Sequence, residues 1–123
     1  MDTDHLATAL MACATGIYTT EAGVALLIAN GTFLHRDDFT SRFIQTGTSI
    51  SDGITLMADI DWDTAITALN SGDLPCSGGE RRILQLSASL AVGTPVSLRD
   101  TVTGLDHDNT ARLLGAIRHA TGK

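Results

Sequence analysis

The stretch Cys76-Ser77-Gly78-Gly79-Glu80-Arg81-Arg82 has the residue types and spacing that come closest to a reaction site. A cysteine, a glycine and an arginine in the order C-x-x-G-x-x-R suit phosphoryl chemistry at a helix start. The thiolate attacks phosphorus while backbone N–H groups and a guanidinium hold the phosphate oxygens. On that reading Cys76 is the candidate nucleophile and Arg82 the phosphate clamp. A simpler reading of the same residues is an anion site in which Ser77, Gly78, Gly79, Arg81 and Arg82 hold a small anion or a partner's carboxylate. A third needs no ligand. Ser77 and Glu80 have the spacing of a capping box, which ties off the first N–H groups of a helix and sets a carboxylate at its positive end.

The C-x-x-G-x-x-R run resembles the loop of cysteine-dependent phosphatases, with three departures. Ile83 stands where those proteins usually carry Ser or Thr, Gly72-Asp73-Leu74-Pro75 precedes the cysteine in place of a buried strand, and Glu80 brings a like charge beside a bound dianion. Ser77-Gly78-Gly79-Glu80, then Asp100, then Gly104-Leu105-Asp106 also resemble in order the signature motif, Walker B aspartate and D-loop of ABC-type ATPases. That likeness carries no nucleotide chemistry. No G-x-x-x-x-G-K-[ST] loop is present, Val96-Ser97-Leu98-Arg99 is too polar for a buried parallel strand, and Thr101 stands where the catalytic glutamate follows the aspartate. Asp59, Asp61 and Asp63 alternate as in a calcium loop, yet Thr64 takes the glycine position and Asn70 that of the final glutamate. The histidines at 5, 35, 107 and 119 have no zinc-ligand spacing. No metal or cofactor site is expected.

The elements that must position these residues are mostly helical. From Arg82 to Arg99 no charged residue occurs, so Ile83–Ala91 predicts a helix buried on nearly every side, with Gly93 as its stop. Asp4–Ile17 predicts a first helix with Leu6, Leu10, Cys13, Ala14 and Ile17 inward, and Gly16 near its end. Thr20 offers an N-cap for a second helix that closes at Asn30-Gly31. A short third helix from Arg36 or Asp37 to Phe43 sets Phe39 and Phe43 on one face. Thr46 to Ile60 suits extended chain, and Asp52-Gly53 predicts a two-residue turn between Ser49-Ile50-Ser51 and Ile54-Thr55-Leu56. Two strands alone are marginal in water, so this hairpin must lie on the helices or pair with another chain. Asp61 predicts the cap of a helix with Trp62, Ala65, Ile66 and Leu69 inward, ending at Asn70-Ser71-Gly72. Ser97 and Asp100 repeat the capping-box spacing for a short helical turn. Asp106 caps a last helix with Leu113, Leu114 and Ile117 as its apolar stripe, and Arg112, Arg118 and His119 facing water.

Composition narrows the classes of function. Hydrophobic residues make up 43% and charged residues 18% of the chain, which excludes a disordered segment and leaves apolar surface for a partner. Only five residues are aromatic (three Phe, one Tyr, one Trp), so the core is expected from Leu, Ile, Val and Ala. Fourteen acidic against eight basic residues give a net charge of −6, opposed to the concentrated basic face that nucleic-acid binding needs. No apolar run is long enough to span a bilayer, and two aspartates stand near the N-terminus where a signal peptide carries basic residues. Two cysteines are too few for a disulfide framework and suit a reduced compartment. Leu74 to Arg82, with Gly93-Thr94-Pro95-Val96 and Thr103-Gly104-Leu105-Asp106, resembles a family of small actinobacterial proteins of uncharacterised activity; the resemblance implies a cytoplasmic bacterial protein and no catalytic residue.

The expectation is a single, mainly α domain over 1–123, a compact bundle of about five to six helices with a small β-hairpin inserted near residues 46–60. Its expected function is a non-enzymatic intracellular protein-interaction or assembly module, with a protein partner or self-association, no nucleic acid and no membrane. The alternative is a small anion- or phosphate-handling protein centred on Cys76–Arg82.

Overall fold

The computed structural model describes residues 2–122. The described chain is mainly helical. Its elements run α1 (Thr3–Ala14), α2 (Tyr18–Asn30), a single 3₁₀ turn (Phe33–His35), α3 (Asp37–Phe43), β1 (Ile44–Thr48), β2 (Leu56–Ile60), α4 (Trp62–Ser71), α5 (Gly78–Val92), α6 (Leu98–Val102) and α7 (His107–Ala120). The helix starts follow the short polar residues. Asp2, Asp61, Ser77, Ser97 and Asp106 each accept a backbone N–H from the first turn of the helix they precede.

α2 runs through the middle of the bundle, packed on α5, α7 and α1. Its contacts place it antiparallel to both α5 and α7. The N-terminal half meets the end of α5, where Thr20 Oγ1 donates to the Ala91 carbonyl at 3.2 Å. At its two ends Glu21 meets His119 at 2.7 Å, and Asn30 donates to Asn109 Oδ1 at 3.2 Å. The α2–α5 crossing is very close. A Cβ on Gly23 would lie 2.8 Å from both the Ala91 Cβ and the Ala91 N and would collide with the Ser87 carbonyl oxygen. The expected burial of α5 holds, with Ile83, Leu84, Leu86, Ser87, Ala88 and Ala91 all buried, but α2 shares the central place.

The apolar interior forms two neighbouring clusters. The larger joins α1, α2, α3, β2, α4 and α5, with Phe33, Phe39 and Phe43 in tilted contact at ring separations of 5.0 and 5.4 Å. The smaller joins α2, α5 and α7 through Ala22, Leu26, Ile83, Leu86, Leu113 and Ala116. Phe39 and Phe43 share one face as their spacing predicts.

Four local expectations are corrected. Within α1 the buried face is Leu6, Ala9, Leu10 and Ala14 and Cys13 lies exposed; the helix ends at Ala14, so Ile17, 61% exposed, becomes the residue before α2. α2 begins at Tyr18, two residues before Thr20, because the Glu21 carboxylate accepts the Gly16 N–H at 2.7 Å and closes the turn from behind. The hairpin pairs Ile44 with Ile60 through Thr48 with Leu56, and Ser49 with Thr55 beyond them. The connection is therefore longer than two residues. Asp52 builds it as a side-chain turn, accepting the N–H groups of Ile54 and Thr55 at 2.8 and 2.9 Å. On α7 the buried stripe is Asn109, Leu113 and Ala116, whereas Leu114 and Ile117 are 62% and 41% exposed. Leu113 and Ala116 pack against α2 and α5 on that face, where Asn109 also accepts from Asn30.

Candidate functional site

The motif at the start of α5 folds as a capping box. Ser77 Oγ accepts the Glu80 N–H at 3.2 Å, and Glu80 Oε1 accepts the Ser77 N–H at 2.8 Å. The Ser77 hydroxyl, a candidate anion ligand, is thus committed to the helix itself. Cys76 is half-buried against the larger core cluster, with its Sγ 3.6 Å from Arg36 Nη1. Arg36 in turn grips Asp38 through Nε and Nη2 at 2.9 and 2.6 Å. Burial pushes the Cys76 thiol up; Arg36 opposes that, and the carboxylates of Glu80 and Asp38 add to it. The sulfur is a packed thiol, held away from the ionised form that nucleophilic attack requires.

The two arginines turn elsewhere. Arg81 closes the end of α4, donating to the Leu69 carbonyl and to Asn70 Oδ1, both at 3.1 Å. Arg82 lies over Gly104, where a Cβ would sit 2.6 Å from its Nε, and beside Gly78, where a Cβ would sit 2.9 Å from its Nη1. No ion pair engages Arg82 among the described residues. The structure therefore brings Gly78, Arg81 and Arg82 together on one cleft of about 380 Å³, shared with Gln85, Ser97 and Asp100. Cys76, Ser77 and Gly79 do not line it. A phosphate in this cleft would meet Arg82 on one wall and the Asp100 carboxylate on another, so attraction and repulsion oppose each other there.

The aspartate run is structural in the same way. Asp61 caps α4, accepting the Thr64 N–H at 3.3 Å and the Thr64 hydroxyl at 2.8 Å. No group of three or more His, Cys, Asp or Glu side chains able to hold a metal ion occurs among the described residues.

The hairpin leaves one edge of its backbone unpaired. Ser49 donates to the Thr55 carbonyl at 2.8 Å, and Asp61 donates to the Phe43 carbonyl at 2.7 Å. With the register Ile44↔Ile60, these two bonds bracket the ladder and fix its phase. Gln45 and Gly47 face β2; Ile44, Thr46 and Thr48 turn their N–H and C=O groups to the open side. No other hydrogen bond reaches those outward groups among the described residues. β1 is exposed from Gln45 to Thr48. Beside its Ile44 end runs a groove of about 430 Å³ between the start of α1 and α3, lined by Leu6, Leu34, His35, Thr40, Ile44 and Thr46 among others. At the tip, Ile50 is 104% and Ile54 83% exposed.

Sequence reasoning located the α5 loop and the hairpin, but it missed Arg36, Gly104 and the groove. Arg36 and Gly104 are distant in sequence from the loop they touch, and only the pairing phase shows which groups of β1 are free. The uncharged run from Phe43 to Ser51 was the available signal for the edge. No family model matches this chain, and no curated protein and no solved structure is significantly similar to it.

Proposed function

We propose that this chain is a non-enzymatic protein-interaction or assembly module of the cell interior, and that its contact surface is the outer edge of β1. The observation that carries this reading is the row of unpaired backbone groups on an uncharged strand. Edge strands that stay single are ordinarily protected by lysine, proline, a bulge or an inward charge, and β1 has none of these. The placement of Cys76 outside the cleft that Arg81 and Arg82 share supports the non-enzymatic side of the reading. Sedimentation from micromolar to millimolar concentration tests it: the mass is expected to rise above the 12.9 kDa of one chain. It should rise further with added salt, which screens the repulsion between copies of charge −6.

One observation favours a second reading, a small-anion site in the Arg82 cleft. Arg82 is half-buried, unpaired among the described residues, and given its room by two glycines. Titration with inorganic phosphate followed by backbone NMR checks it. Saturable shifts at Gly78 and Arg82 that vanish in Arg82→Gln are the expected result for this reading, and unmoved resonances at millimolar phosphate would remove it.

A further inference from the structure

Resting on the edge of β1 as the contact surface, we infer that its occupant is a second copy of the same chain. The two β1 strands run antiparallel about a two-fold axis at Thr46, and the hairpin tip of each copy lies along the groove of the other.

The pairing phase makes the arrangement specific. Thr46 directs both its N–H and its C=O outward, so two copies of Thr46 facing each other form a closely bonded pair that exchanges both hydrogen bonds. The same two-fold sets Ile44 opposite the partner's Thr48 and Thr48 opposite the partner's Ile44, again with outward groups on both sides. A two-fold contact must be self-complementary, and like charges directly opposite are its usual obstacle. β1 brings no charge to the seam.

The register also accounts for the tip. Continued past Ile44, antiparallel pairing carries the partner's Ile50 alongside α3, at a groove whose lining joins Leu6, Leu34 and Ile44 to polar residues that include Asp2, Asp37 and Thr40. Ile50 and Ile54 otherwise stand in water on a loop held by the Asp52 carboxylate and by Ser49, whose carbonyl accepts the Gly53 N–H. A stable interface covers about 800 Å² on each partner, more than the edge of a five-residue strand supplies. The tip in the groove provides the remainder, and the groove's volume, about 430 Å³, is in the range that receives ligand-sized groups. A neighbouring protein's strand would satisfy the outward groups equally well, but only a second copy carries an exposed isoleucine, Ile50, that this register sets opposite Arg42, next to the Thr40 and Ser41 that line the groove.

The test combines sedimentation of the full chain with amide hydrogen exchange. The Thr46 and Thr48 amides should become protected as the dimer forms. Thr46→Pro removes an N–H that makes no bond inside the monomer, at an edge position where proline is tolerated. It should weaken the dimer by roughly tenfold or more while leaving the helical circular dichroism intact. Ile50→Asp, which alters only the tip, should weaken it as well; this variant decides the matter if Thr46→Pro does not fold. A dimer that survives both substitutions with a freely exchanging Thr46 amide would overturn the two-fold and leave assembly through another face. A chain that stays monomeric, but whose Thr46 amide is protected by a synthetic Val-Thr repeat peptide, would overturn the second copy and assign the edge to a foreign strand. A strict monomer with no protection by either would overturn both this inference and the reading it rests on.

Discussion

Gly23 decides how closely the two central helices approach. Replacing it with alanine sets two effects against each other. Alanine is favoured over glycine in a helix interior by about 1 kcal/mol. Against that, the new methyl would meet the Ser87 carbonyl and the Ala91 backbone nitrogen, main-chain atoms that move only if a helix moves. Overpacking of this kind costs about 1–3 kcal/mol, occasionally more. Gly23→Ala is therefore expected to be net destabilising, by up to about 2 kcal/mol in urea unfolding; a gain in stability would show that α2 and α5 can separate freely. Cys76 illustrates the same dependence on neighbours. Its place in a C-x-x-G-x-x-R run suggests a reactive thiolate, and the atoms around it produce the opposite.

For whole elements, rotation about the axis is what the residue pattern leaves open. α7 has Leu113, Leu114 and Ile117 within one and a half turns, and two different faces can be drawn through them. The structure chooses Asn109, Leu113 and Ala116. Leu113→Ala should accordingly cost about 2–5 kcal/mol, while Leu114→Ala should stay within about 0.5 kcal/mol of the unmodified chain. Equal losses in chemical denaturation would mean that the face is drawn wrongly. α5 was easier to place, because its capping box and its charge-free run indicate both its start and its burial. The hairpin lies between these cases: its presence near residues 46–60 is legible, but Ser49–Ser51 and Ile54–Thr55 fall beyond the strands Ile44–Thr48 and Leu56–Ile60, and the inward or outward sense of each peptide follows from the pairing phase.

For the molecule as a whole, one exposed link ties distant segments. Glu21 accepts the Gly16 N–H at 2.7 Å and meets His119 at 2.7 Å, joining the α1–α2 turn to the end of α7. The Gly16 N–H first, and His119 second, hold its carboxyl below the ordinary value of 4.5. A carboxylate depressed in the folded state contributes stability that is complete above the unfolded value. That contribution is lost as pH falls through the lower folded value. The melting temperature should therefore drop in acid below about pH 4.5, with Glu21→Gln lower at neutral pH and converging on the unmodified chain as the medium is acidified. Parallel curves over the whole range would refute this link.

The fold class and the ends of most elements follow from the amino-acid sequence alone. Those features are local: a short polar side chain caps the next turn, a glycine stops a helix, and apolar spacing marks a buried face. The separation of the candidate site was a tertiary decision. Arg36 reaches Cys76, the end of α4 draws in Arg81, and Gly104 makes room for Arg82; each of these partners is far away along the chain. The free edge of β1 is tertiary for a related reason. Every residue in it has outward and inward options until a partner strand sets the phase, and β2 occupies only one side.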